Sequence, residues 1–223
     1  MERSEYARKR ADMVRHQLAD RDIADAKVLA AIGEVPREDF VPEAQRRDAY
    51  GDHPLPIGYG QTISQPYVVA YMTQAAALKG GERCLEAGTG SGYQAAVLSA
   101  ICGEVCSIEI LGPLADAASA RLAGLGYRNV AVRRGDGCQG WIERAPFAAI
   151  LVTAAADHVP EPLLRQLADG GRLVMPVGES FYQALRRITR TGQTFEDEKL
   201  LPVQFVPLTG PLRETSGGRT SVH

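Results

Sequence analysis

No run of the chain comes near the ~18 apolar residues that a membrane-crossing helix needs, which sets aside an integral membrane protein. The opening residues, Met1 to Arg21, are dense in charge and hold no apolar block of signal-peptide length, so a cytoplasmic location is expected. Positive charge is not in excess either: 25 Lys and Arg stand against 27 Asp and Glu, a net charge of -2. A chain so balanced lacks the broad positive field that holds a phosphate backbone or an anionic lipid surface, so neither nucleic acid nor membrane is expected as a partner. Cysteine is sparse, and Cys84, Cys102, Cys106 and Cys138 form no paired CxxC knuckles and no group with histidine. Metal: none is the reading, and with no secretory signal the four are expected as buried thiols rather than disulfides.

What remains is a chain of 223 residues with 45% hydrophobic composition, enough for one catalytic domain with a full core, and a monomer is expected. Helical spacing runs from about Glu5 to Leu18 and again after Asp25, with Val28, Leu29 and Ile32 inward until Pro36 stops it. Residues 36–66 are rich in proline with little periodicity, which predicts an extended surface segment rather than a layer. From Gly81 the texture changes. Short apolar runs at Arg83–Ala87, Val105–Ile108, Val130–Arg133, Ala148–Val152 and Arg172–Val177 read as strands, with helices over Tyr93–Ile101, Pro113–Leu125 and Pro160–Leu167. That alternation predicts an α/β doubly wound, mostly parallel sheet covered on both faces. Ala184–Thr189 and Leu201–Leu208 flank a turn-rich stretch from Thr191 and predict an appended C-terminal antiparallel hairpin. The expected organisation is N-terminal helices and an active-site segment over 1–80, a cofactor-binding core over 81–210 and a flexible tail over 211–223.

In such a sheet the ligand lies beyond the carboxyl ends of the strands, where a glycine turn lets backbone approach it. Gly88, Gly90 and Gly92 occupy that turn. A dinucleotide fingerprint beginning at Gly88 needs glycine where Tyr93 stands, and a phosphate-binding P-loop needs Lys followed by Ser or Thr where the chain reads Gly92-Tyr93-Gln94. Three carboxylates add the positive content. Glu86 ends the first strand, where a negative charge suits a cationic amino-acid group better than a pyrophosphate. Glu109, 23 residues on, ends the second, suited to accept two ribose hydroxyls. Asp136, followed by Gly137, sits after the third and suits an adenine amino group. An amino-acid end, a ribose, an adenine and no phosphate describe S-adenosyl-L-methionine, which leaves S-adenosyl-L-homocysteine after methyl transfer.

The loop Glu86-Ala-Gly-Thr-Gly-Ser-Gly resembles the first motif of the seven-stranded S-adenosylmethionine-dependent methyltransferases, a Rossmann-like superfamily. Within it the chain is similar, over roughly residues 10 to 210, to protein-L-isoaspartate (D-aspartate) O-methyltransferases. The most specific stretch is Leu55-Pro-Ile-Gly-Tyr-Gly-Gln-Thr-Ile-Ser-Gln-Pro66; Leu151 to Ala155, Val159 to Leu164, Gly170 to Gly178 and Val203 to Thr209 add to it. The resemblance implies transfer of a methyl group to the α-carboxylate of isoaspartyl residues in damaged polypeptides, the first step of repair. It implies Ser64 as the catalytic residue, with cofactor contacts at Gln61, Thr62, Ile63, Gly88, Thr89, Gly90, Ser91, Glu109, Asp136, Gly137 and Thr209. The chain departs from the family pattern at Ala148 and Ile110, where Asp and Arg are common, and at Ala156-Asp157-His158. These departures leave open a methyltransferase acting on a different acceptor.

An isoaspartyl carboxylate is already ionised at neutral pH and needs placement rather than a base. Ser64 is therefore expected to orient it by a hydrogen bond while segment 54–66 excludes water. For the same reason His158 reads as a loop histidine; His53 reads likewise, Trp141 as packing against the sheet rather than stacking on adenine, and Arg186, Arg187 and Arg190 as a solvated hairpin face.

Overall fold

A computed structural model describes residues 2–179 and 182–208. The N-terminal region is helical: α1, Arg3–Met13, runs without a break in direction into a π-helical turn at Val14–Ala19, and α2 spans Ala26–Glu34. Asp25 starts α2 by accepting from the backbone N–H groups of Lys27 (2.8 Å) and Val28 (3.4 Å), which gives two otherwise unpaired donors a partner. The 36–66 segment is more ordered than its prolines predict. It holds 3-10 turns at Arg37–Phe40 and Glu43–Asp48, then a small antiparallel hairpin of β1, Leu55–Gly58, and β2, Gln61–Ile63. Tertiary anchors compensate for the absent periodicity: Phe40, Val41, Ala49, Tyr50, Leu55 and Ile63 are all buried in the core.

Helix α3, Pro66–Ala75, follows directly in a stretch where sequence periodicity predicts no element. Pro66 at its first turn forgoes an N–H that would have had no partner there, and Val69, Ala70, Met72 and Thr73 are its buried side. The sheet then builds as β3, Arg83–Ala87; α4, Tyr93–Ser99; β4, Glu104–Glu109; α5, Gly112–Gly124; β5, Val130–Arg134; β6, Phe147–Val152; α6, Glu161–Arg165; β7, Leu167–Glu179; β8, Tyr182–Thr191; and β9, Thr194–Val203. The strand order is β5-β4-β3-β6-β7-β8-β9, with β5 to β7 parallel and the last two pairings antiparallel.

Alternate strand residues face opposite sides, and both sides are covered. Cys84, Val105, Ala149 and Val174 join a core with Met13, Ile32, Met72 and Val97, whereas Leu85, Cys106, Ile150 and Leu173 join a second with Cys138, Leu163 and Leu208. Two-sided burial is why these strands read as continuous apolar runs. All four cysteines are free and buried, the Cys84 and Cys102 sulfurs 2.8 Å apart.

The C-terminal hairpin is present but its second arm is displaced from the apolar run Leu201–Leu208. β9 starts at Thr194, opposite Thr191, after a two-residue turn at Gly192-Gln193 in which Gly192 has φ +59°. Its acidic start reads as a turn in isolation; in the sheet Asp197 and Glu198 pair across the ladder with Arg186 and Arg187. After Val203 the chain leaves the sheet and crosses to the end of β6, where Leu208 N–H donates to the Ala155 carbonyl (2.7 Å) and Ala155 N–H to the Val206 carbonyl (2.8 Å). Thr209 and the 211–223 stretch lie outside the described residues.

Candidate active site

The strand order reverses at β3, whose neighbours β4 and β6 continue in opposite directions, and a crevice opens there beyond the carboxyl ends. β3 runs into the glycine loop. Gly88 holds φ +103°, and a β-carbon added to it would stand 2.4 Å from the Thr153 hydroxyl, so only glycine fits between β3 and the end of β6. Thr153 ties the crevice together by donating its hydroxyl to the Gly88 carbonyl (2.6 Å) and its N–H to the Ala87 carbonyl (2.9 Å).

Two adjoining hollows occupy this crevice. The larger is bounded by Gln61 and Thr62 of the hairpin, Gly88 and Gly90 of the loop, Glu109 with Ile110 and Leu111 after β4, Gly137, and the returning strap Val206 to Leu208. The smaller lies under the hairpin and α3 and is bounded by Ile63, Ser64, Glu86, Thr89, Ser91 and Gln94. Thr62, Gly88, Gly90 and Thr153 belong to both and form the neck between them. The hairpin thus lies over the glycine loop: a β-carbon added to Gly90 would stand 3.4 Å from Ile57 Cδ1.

Each carboxylate has a distinct environment. Glu86 is wholly buried; one oxygen accepts from the Ser107 hydroxyl, which in turn takes the Thr89 hydroxyl, and the other oxygen has no partner. Burial pushes its carboxyl up to about 8, against the lowering effect of Ser107 and with a further push from Glu109. Glu109 accepts from the N–H groups of Gly90 (2.8 Å) and Leu111 (3.0 Å), which binds the loop to β4 and leaves lone pairs for a ligand. Asp136 accepts from the Cys138 N–H (2.9 Å) while its second oxygen is buried and unpartnered; Gly137 beside it reaches the larger hollow.

The structure therefore gathers every sequence-predicted site residue it describes around one crevice, Asp136 standing just behind its wall. Thr209 lies outside the described residues. Thr153, Gln94 and the strap Val206 to Leu208 lie in matching stretches but receive no site role from the sequence, and Arg37 behind Ser64 lies outside those stretches. The place of Thr153 was legible, because a residue ending the strand beside the switch point must face the crevice.

The other polar residues stand apart from the hollows. His158 pairs with Asp157 at the surface, and His53 reaches the Pro54 carbonyl. Trp141 packs on the second core beneath Arg133, whose guanidinium carbon is 4.2 Å from the ring centre. Arg190 donates to the Leu167 carbonyl (2.6 Å), so the hairpin arginines are tied into the sheet rather than freely solvated. Among the described residues no helix is long and apolar enough to cross a membrane.

Residues 8–213 match the family model of protein-L-isoaspartate(D-aspartate) O-methyltransferase. A protein-L-isoaspartate O-methyltransferase of Opitutus terrae is 58% identical over 201 residues, 90% of this chain and 86% of that one. A second of that name, from Shewanella sediminis, is 55% identical over 213 residues, 95% and 87% of the two chains. Among solved structures, a protein-L-isoaspartate O-methyltransferase superimposes with a TM-score of 0.83 at 29% identity over 90% of this chain and 66% of its own. A structure described as a candidate enzyme of the same kind, from Plasmodium falciparum and in complex with S-adenosyl-L-homocysteine, gives 0.78 at 26% identity over 90% and 98%.

Proposed function

This chain belongs to the protein-L-isoaspartate (D-aspartate) O-methyltransferase family, an S-adenosyl-L-methionine-dependent enzyme that methylates isoaspartyl carboxylates, and from that premise we propose which of its residues perform each task. The carrying observation is the pair of joined hollows, one with ribose- and adenine-suited groups, the other with Ser64. The two orphaned oxygens test the fit. Glu86 presents a buried, unpartnered acceptor at the end of the crevice nearer Ser64, suited to the ammonium of the cofactor's amino-acid end. Asp136 presents another near Gly137, suited to the adenine amine, while Glu109 keeps capacity for the ribose hydroxyls. Ile110, where an Arg is common in the family, and Leu208 supply apolar walls for the adenine ring. The residues fit the group.

When bound, S-adenosylmethionine supplies a methyl group on a cationic sulfur. The chain's own contribution is placement: Ser64 donates its hydroxyl to the acceptor carboxylate, and Thr62 with the glycine loop narrows the passage where methyl and carboxylate meet. Water is kept out by the hairpin lying across that loop. No base is needed for an acceptor already ionised. Ala148 lies at the opposite end of the sheet beside Lys79 and Arg172, and Ala156 is pinned by the backbone of Pro176 and Gly178, so neither departure favours another acceptor.

The test is transfer from labelled S-adenosylmethionine to two peptides differing only in an isoaspartyl or aspartyl linkage. Base-labile label on the isoaspartyl peptide alone is expected; equal label on both overturns the acceptor assignment. Ser64→Ala should lower turnover about 10- to 100-fold, the scale of a lost alignment, with S-adenosylhomocysteine affinity held within about threefold.

A further inference from the structure

The smaller hollow is asked to admit an anion yet no cation lines either hollow: among the described residues the carboxyl groups there are Glu86, held protonated at neutral pH by burial until an ammonium meets it, and Glu109. An entering carboxylate finds no partner charge in this lining. A positive charge stands directly behind Ser64. Arg37 is fully buried on its 3-10 turn, donating Nε–H to the Ala49 carbonyl (2.7 Å) and Nη2–H to the carbonyl of Ser64 itself (2.7 Å). Its guanidinium carbon lies 4.8 Å from the ring centre of Tyr93, a residue that lines the hollow. Its third nitrogen, Nη1, and the Tyr93 hydroxyl are both buried and meet no well-formed hydrogen bond, their one polar interaction being a loose one between the Arg37 and Tyr93 side chains. Among the described residues no carboxylate pairs with it: Glu38 on the same turn accepts from the Tyr50 hydroxyl and lies 3.9 Å from Arg10 of α1.

A buried cation that meets only carbonyls and a neutral phenol is less favourable than an apolar side chain of the same shape, so packing alone gives no reason for it. We infer that Arg37 is a positioning residue for the acceptor, holding Ser64 by its carbonyl and presenting an uncompensated positive charge that draws the isoaspartyl carboxylate to that serine. This rests on the reading of Ser64 as the acceptor-side residue. Burial lowers the guanidinium to about 10, so it keeps its charge through neutral pH. The titratable groups around it are Tyr93 from α4, Tyr50 ahead of β1 and Glu38 on its own turn, with Arg10 of α1 beyond Glu38. A lysine ammonium in the same place, with fewer donors and stronger hydration, would be driven further down and titrate within an ordinary assay range.

The experiment compares wild type, Arg37→Met and Arg37→Lys by initial rates of S-adenosylhomocysteine formation on the isoaspartyl peptide from pH 6 to 9, with S-adenosylhomocysteine affinity measured by calorimetry. Arg37→Met is expected to raise KM for the peptide about tenfold or more while S-adenosylhomocysteine affinity stays within about threefold. Arg37→Lys is expected to work at low pH and to lose kcat/KM as pH rises, a limb absent from wild type and from Arg37→Met. A KM for Arg37→Met within about twofold of wild type, a Lys profile without that limb, or a parallel loss of product affinity each overturns the inference. Should Arg37→Met fail to fold, the Lys profile decides. A wild type that labels neither peptide overturns the functional reading beneath it; a wild type that labels the isoaspartyl peptide confines any failure to Arg37.

Discussion

Glu86 shows at the scale of one residue how the site stores a preference. Its carboxyl, raised to about 8 by burial, holds a proton at neutral pH that the unfolded chain, at 4.5, has released. The folded value lies above the unfolded one, so the stability this gives the free protein is fully present below about 4.5 and fades as pH rises through about 8. A bound ammonium reverses the preference by favouring the carboxylate. Affinity for S-adenosylhomocysteine should therefore climb as pH rises from 6 to 8, by at most about tenfold per unit, and Glu86→Gln should flatten the climb. Calorimetry at three pH values, in buffers of different ionisation enthalpy, reads both the affinity and the proton released. Equal steepness in Glu86→Gln and wild type would remove Glu86 from the ammonium site.

Among the elements, those that carry the chemistry are held from a distance. Helix α2 sets the start of the turn that bears Arg37, and its first turn depends on Asp25. Asp25→Ala should cost about 1 kcal/mol of stability, read in a denaturant titration, with a Tm lower by roughly 2–4 °C for a chain of this size. The parallel core was legible because two-sided burial writes itself as apolar runs, and the glycine loop because its positive φ angles exclude other residues. The β1-β2 hairpin and α3 were not legible. Their order comes from contacts far along the chain: Ile57 against Gly90, the Ser64 carbonyl on Arg37, and Gln74 accepting from the N–H groups of Ala24 and Asp25. The acidic start of β9 hid for the same reason, since Asp197 and Glu198 make sense only opposite Arg186 and Arg187. Of the site, the motif residues were visible singly and Thr153 by its place at a strand end, but Arg37 acquires meaning only through what it touches.

Across the whole molecule, the crevice is closed by segments from opposite ends of the described chain. The hairpin comes before the sheet and the strap Val206 to Leu208 after it, the strap secured by Gln183, which accepts from the Phe205 N–H (2.6 Å) and donates to its carbonyl (3.1 Å). A chain ending at Val203 keeps all seven strands, so its circular dichroism should match the full chain while S-adenosylhomocysteine affinity drops about tenfold or more through loss of the apolar wall. Unchanged affinity would show that the strap is not part of the binding surface.

The neck of Thr62, Gly88, Gly90 and Thr153 divides the crevice unevenly, and this shapes what can inhibit it. A single molecule spanning both hollows has to pass these four residues, and a slender linker at that point leaves it free to widen on either side. A bisubstrate inhibitor built on that outline, with a nucleoside head, a slender waist and an anionic tail, would be selected by its narrowest point.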